Sequence, residues 1–174
     1  MNDQIGFIGG GNMAQAIITG LLKSGRSSSD ILVSDPNQDC RKALTTMGIT
    51  SFADSAPVMA QAHLVVLAVK PQIMDSVLTN LVDSLKATHV IISIAAGITI
   101  QNIRHRLNDA QNPVVRVMPN TPALIGEGMS ALVSDQLLNE DIKTAVQEIF
   151  DTCGHALWVP NEQAIDAVTA VSGS

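Results

Sequence analysis

Apolar residues run along this chain in two rhythms. Short aliphatic and β-branched runs, "QIGFIG", "DILVSD", "ITSF", "HLVVLAV", "HVIISIAA", "PVVRVM", "MSALVS" and "HALWVP", read as strands, with helical spacing between most of them. The first helical stretch is Asn12 to Lys23, with Met13, Ala16, Ile17 and Leu21 on one side. A second places Pro36 in its first turn, carries Arg41, Leu44 and Met47, and ends at Gly48. Asp54 is placed to cap a short third helix with Pro57 in its first turns. Amphipathic stretches follow at Pro71 to Lys86, Thr99 to Leu107 and Asn139 to Asp151. The runs "HLVVLAV" and "HVIISIAA" are almost wholly apolar, as in strands covered on both faces. Strand and helix in alternation with such strands predict an α/β, Rossmann-like, doubly wound and mostly parallel sheet with helices on both faces. Residues 1–160 are expected to form one domain. A last helix, Glu162 to Val171, is expected to lie outside it, with Ile165, Val168 and Val171 making an uncovered apolar face.

The 174 residues suit one ordinary domain with a sizeable core. A net charge of -6 argues against a nucleic-acid face. The aromatics are Phe7, Phe52, Phe150 and Trp158, with no Tyr, which also argues against base-stacking platforms. Cys40 and Cys153 stand far apart with no zinc-ligand spacing, so both read as free thiols in a reducing compartment, and no metal is expected. No leader pattern opens the chain and no apolar run is long enough for a bilayer, which predicts a soluble cytoplasmic protein with no membrane partner.

Chemistry enters at the first strand's end. Gly9, Gly11 and Ala14 in "IGGGNMA" satisfy G-x-G-x-x-A between a strand and a helix. Gly9 permits a tight turn, Gly11 lets a pyrophosphate approach the backbone, and Ala14 lets helix pack on strand. The helix start offers free amides and a positive dipole end. Asp35 ends the second strand, where an acidic residue accepts hydrogen bonds from the ribose of NAD and repels the phosphate of NADP. It also serves as a cap before Pro36. Arg41 and Lys42 stand nearby as cations that could offset it, so both NAD and NADP remain open. The later strands end in "AVKPQ", "SIAAG" and "VMPNTPA". Ala68, Pro71, Ala95, Ala96 and Gly97 are small or rigid enough for a flat ring to lie close, Asn120 and Thr121 offer hydrogen bonds, and Lys70 is the one charge.

Together "IGFIGGGNMAQAI", "LAVKPQ", "SIAAGIT", "RVMPNTPA" and "AVTAVSGS" resemble bacterial pyrroline-5-carboxylate reductase over the whole chain. The resemblance implies reduction by NADP or NAD of the C=N bond of 1-pyrroline-5-carboxylate, the last step of proline biosynthesis. It places Ile8, Gly9, Gly11, Asn12, Met13, Asp35 and Asp54 along the pyrophosphate and adenosine. It places Ala68, Val69, Lys70, Pro71, Ile94, Ala95 and Ala96 along the nicotinamide, with Asn120 and Thr121 near the ring. Family members often carry a polar uncharged residue, a Ser or an Arg where Asp35 stands, a departure that bears on NADPH preference. In the family "SGS" continues into "GPAY" and a helical domain that dimerises and binds substrate. Residues 161–174 are therefore expected to open that domain, and the isolated chain to bind dinucleotide with little turnover. The full-length protein is expected to be a homo-oligomer. No acid–base residue is assigned, since an iminium is already electrophilic and the cofactor carries the reactive chemistry. The four histidines, His63, His89, His105 and His155, read as structural or solvent-facing. Two alternatives stand beside this reading: a non-catalytic dinucleotide sensor, and a related hydroxyacid dehydrogenase.

Overall fold

The computed structural model describes residues 4–172. Among them one sheet holds eight strands: β1 (Ile5–Ile8), β2 (Ile31–Ser34), β3 (Thr50–Phe52), β4 (Leu64–Leu67), β5 (Val90–Ser93), β6 (Val114–Pro119), β7 (Gly128–Ser134) and β8 (Gly154–Trp158). Their order is β3-β2-β1-β4-β5-β6-β7-β8. The pairs from β3 to β6 are parallel, β6 and β7 are antiparallel, and β8 is parallel to β7. The antiparallel step follows from chain length, because a short connection can reverse a strand but cannot carry a crossover. The order reverses between β1 and β4, which opens a crevice at the carboxyl ends of those strands.

The helices are α1 (Asn12–Lys23), α2 (Gln38–Thr46), α3 (Ala56–Gln61), α4 (Met74–Leu81), α5 (Ile100–Arg106), α6 (Glu140–Asp151) and α7 (Glu162–Ser172). Residues alternate across each strand, so each face has its own apolar layer. Ile5, Phe7, Val33, Val66, Ile92 and Val115 meet Ile17, Ile18 and Leu21 of α1, Leu44 of α2, and Ile149 and Phe150 of α6. Leu32, Val65, Leu67, Ile91 and Val114 meet Val58 and Met59 of α3, Leu78 of α4 and Ile103 of α5. The central strands are covered on both sides, which is why they read as unbroken apolar runs.

Three expectations need correction. Pro36 does not open the second helix. Asn37 caps it, its Oδ1 accepting the amides of Asp39 (2.8 Å) and Cys40 (3.4 Å), and Pro36 lies in the preceding turn. An Asn side chain satisfies orphan amides, which Pro cannot do. The single helix expected from Pro71 to Lys86 is divided: a 3-10 turn at Pro71–Ile73, then α4, then a 3-10 turn at Val82–Ser84. The apolar face of the last helix is not uncovered at Ile165, which is 0% exposed and packs in the layer that holds Ala131 and Val133. The side chains of Val168 and Val171 lie outside the described residues.

Candidate functional site

The first six strands run the same way, so their carboxyl ends share one edge of the sheet. Gly9 turns the chain there at φ +101, a region that side chains rarely adopt. A Cβ on Gly9 would stand 2.6 Å from the carbonyl oxygen of Ala68. That closeness follows from pairing on both sides: the Gly9 amide donates to Ser34 O and the Ala68 amide donates to Ile8 O, each at 2.8 Å. The end of β4 therefore lies directly against the glycine turn.

Gly11 is the opposite case. A Cβ there would meet nothing within 4 Å, so the space before α1 is open. Gly11 is also the N-cap of α1 and offers no side-chain bond, and the first turn carries no carboxylate. The first amides of a 12-residue helix thus face this space uncapped. Asn12 and Met13 supply two of them. Ala14 is buried against the sheet at 1% exposure, as its place in the motif requires.

Asp35 is tied into the turn from the side. Its Oδ2 accepts the Gly10 amide and its Oδ1 accepts the Asn37 amide, both at 2.8 Å. The amide of Gln15 clasps the same turn, Nε2 donating to Gly10 O at 2.7 Å. Arg41 folds back over the loop, with Nη1 donating to Asp35 O (2.7 Å) and Pro36 O (2.8 Å). Lys42 pairs with Asp39 at 3.3 Å on open surface. The Cys40 thiol beside them is raised above its ordinary value, first by burial and then by the charges of Asp35 and Asp39. Asp54 lies just beyond β3 and is not the N-cap expected of it: Ser55 holds that position, and Asp54 Oδ1 accepts the Ala56 amide at 3.0 Å from one residue earlier, in the turn that leads into α3.

On the other side of the switch point, Ala68 and Val69 are half-buried, Lys70 is exposed and Pro71 opens the 3-10 turn. At the end of β5, Ile94 is half-buried, Ala95 buried and Ala96 exposed. The hydroxyl of Ser93, fully buried, accepts the Ala95 amide at 3.3 Å and shapes that turn. The strand β6 pairs with β5 only as far as Arg116, opposite Ser93, and then continues to Pro119 along β7. Asn120 therefore stands about 13 Å beyond that level, at 3.3 Å per residue. Its Oδ1 accepts the Met129 amide at 2.9 Å, leaving its amide nitrogen as the available donor. Thr121 begins the 3-10 turn Thr121–Ile125, whose Ala123 is buried in the same layer as α1.

Sequence reasoning missed three residues here. Gly10 and Gln15 lock the glycine turn, and nothing in a G-x-G-x-x-A pattern marks them. Arg116 is marked in the sequence only as a charge that interrupts an apolar strand. Its side chain is 5% exposed and donates to Glu162 Oε1 (2.9 Å) and Asp166 Oδ1 (3.0 Å) of α7. Glu162 Oε1 also accepts the Ile100 amide at 3.1 Å, joining α5, β6 and α7 in one junction. Among the described residues no cluster of His, Cys, Asp or Glu could hold a metal, and no helix is long and apolar enough to cross a membrane.

A family model described as NADP oxidoreductase, coenzyme F420-dependent, matches residues 4–97. The chain is 42% identical over 170 residues to the pyrroline-5-carboxylate reductase of Haemophilus influenzae, covering 98% of this chain and 62% of that protein. The structure of a pyrroline-5-carboxylate reductase from Coxiella burnetii superposes with a TM-score of 0.93 at 32% identity, covering 99% of this chain and 64% of the other. That of Plasmodium falciparum pyrroline carboxylate reductase with NADP bound gives 0.86 at 29% identity, covering 99% and 63%. The likeness expected from the motifs thus extends over almost the whole chain, which spans less than two thirds of those proteins' own length.

Proposed function

Because the chain belongs to the family described as NADP oxidoreductase, coenzyme F420-dependent, we propose that the carboxyl edge of β1 to β6 holds a nicotinamide dinucleotide, NAD or NADP. The observation that carries this is the uncapped start of α1 behind the open space at Gly11. Amides of Asn12 and Met13 would face the pyrophosphate, Asp35 and Asp54 the adenosine end, and the residues from Ala68 to Pro71 and Ile94 to Ala96 the nicotinamide end. Asn120 and Thr121 stand furthest along the edge, where ring and substrate would meet.

The whole protein, in this reading, reduces the C=N bond of 1-pyrroline-5-carboxylate to give L-proline, the last step of proline biosynthesis. Support comes from the names of the relatives and from the small residues at the ends of β4 and β5. A bound nicotinamide supplies the reducing hydride. The chain's own residues orient the ring against the substrate and keep water out. Residues 1–160 act as the dinucleotide-binding domain, and residues 161–174 open a second region that dimerises and completes the substrate pocket. The protein works in the cytoplasm as a homo-oligomer.

Two assays on the 174-residue chain test this. Calorimetric titration is expected to give saturable dinucleotide binding, and cofactor oxidation with 1-pyrroline-5-carboxylate is expected to be slow or absent. Failure to bind either dinucleotide would sink the binding reading. Turnover by a protein extended through the region seen in its relatives tests the reductase reading, and inactivity of that longer protein toward this imine would refute it.

A further inference from the structure

Given that reading of the edge, we propose that this chain selects NADH over NADPH, with Asp35 as the discriminating residue. The two cofactors differ by one phosphate on the adenosine ribose. A free ribose diol offers two O–H donors, whereas the phosphate offers anionic acceptors carrying about 1.5 to 2 negative charges at neutral pH. Asp35 presents a carboxylate where that ribose would lie.

The geometry keeps the carboxylate in place. Both oxygens already accept a backbone amide, Gly10 on one and Asn37 on the other, each at 2.8 Å. Turning Asp35 aside for a phosphate would break the bond that holds the glycine turn. Each oxygen retains acceptor capacity for a hydroxyl, since a carboxylate offers about four lone-pair sites.

The backbone amides that could welcome a phosphate are committed elsewhere. The amides of Asn37, Asp39 and Cys40 at the start of α2 are all taken, the first by Asp35 and the other two by Asn37 Oδ1. Arg41 directs Nη1 to two carbonyls of the loop. Lys42 lies on Asp39, which adds a second carboxylate in the first turn of the helix. With these amides taken and Lys42 on Asp39, the loop sets chiefly the one guanidinium of Arg41 against the carboxylates of Asp35 and Asp39 when a phosphate approaches.

The test is a calorimetric titration of this chain with NADH and NADPH. We expect NADH to bind more tightly on the order of tenfold or more, from one close like-charge contact at a protein surface. Asp35→Ser is expected to narrow or reverse that ratio, chiefly by strengthening NADPH. Because Asp35 also holds the turn, circular dichroism and a melting curve check that this variant is folded. Asp39→Ser, on open surface, removes the second carboxylate without touching the turn and is expected to shift the ratio less in the same direction. NADPH binding as tightly as NADH to the unmodified chain would overturn the selectivity while leaving the dinucleotide site standing. An unchanged ratio in a folded Asp35→Ser variant would overturn the role of Asp35. Binding of neither dinucleotide would overturn the site and the selectivity together.

Discussion

Gly9 and Gly11 are two residues apart in one motif, yet the structure assigns them opposite consequences when each is replaced by Ala. At Gly9 the new Cβ falls 2.6 Å from Ala68 O and 2.8 Å from Ala68 C. Those atoms belong to the backbone at the end of β4 and cannot swing away. The residue also stands at φ +101, which an alanine adopts only under strain. Strain of about 1–3 kcal/mol and overpacking of a similar size sum to about 2–6 kcal/mol. For a domain of this size that lowers the melting temperature by at least about 4 °C. At Gly11 φ is -69 and the Cβ meets nothing within 4 Å, so only the small N-cap preference of Gly over Ala is lost. That costs under about 1 kcal/mol. The same methyl group would occupy the approach to the α1 amides, so dinucleotide affinity should fall at least about tenfold. Thermal unfolding and calorimetric titration of both variants separate the two effects. A Gly11→Ala chain that melts normally and binds dinucleotide as well as the parent would refute the assignment of that open space to a pyrophosphate.

Two further predictions concern buried charge. Glu162→Gln leaves the Arg116 guanidinium, 5% exposed, with one largely exposed carboxylate, and should destabilise the chain by about 1–3 kcal/mol. Asp166→Asn removes a partner that is 66% exposed and should cost under about 1 kcal/mol, so urea midpoints in the reverse order would contradict this account of the junction. His89 is fully buried, its Nδ1 accepting the Lys86 amide at 2.9 Å while its Nε2 meets Met59 O at 3.0 Å, an arrangement that needs the neutral ring. Burial, first of all, holds its pKa below the ordinary 6.5, with Lys86 and His63 acting in the same direction. The unfolded chain therefore takes up a proton below about pH 6.5 that the folded chain refuses, and stability falls as pH is lowered through that range. Melting curves between about pH 7 and 5 should show this slope, and His89→Gln, which keeps one donor and one acceptor, should flatten it; an equal slope in both proteins would remove His89 as its source.

Much of the architecture is written locally. "LVVL" and "VIIS" are strands covered on both faces because no polar residue interrupts them, until Ser93 ends the second. Asn12 to Lys23 reads as a helix with its apolar stripe, although the buried set proved to be Ala14, Ile17, Ile18 and Leu21 rather than one including Ala16. Gly9, Gly11 and Asp35 could be named in advance because turn geometry and strand ends constrain residue type within a few positions. The divided helix at Pro71 was not legible in this way, since periodicity is nearly the same for a continuous helix and for one flanked by 3-10 turns.

What the sequence by itself determined is the alternation of elements, the parallel core and the glycine turn, because each rests on periods and turn chemistry that span a few residues. Tertiary structure alone decided which oxygens of Asp35 are engaged, that Gly10 rather than solvent meets one of them, and that α7 docks on the sheet. Arg116 lies 46 residues from Glu162 and 50 from Asp166, and Gly10 lies 25 from Asp35. Pairings at such separations leave no periodic trace, for they arise only when the sheet order brings strand ends together and low-dielectric burial requires every charge to find a partner.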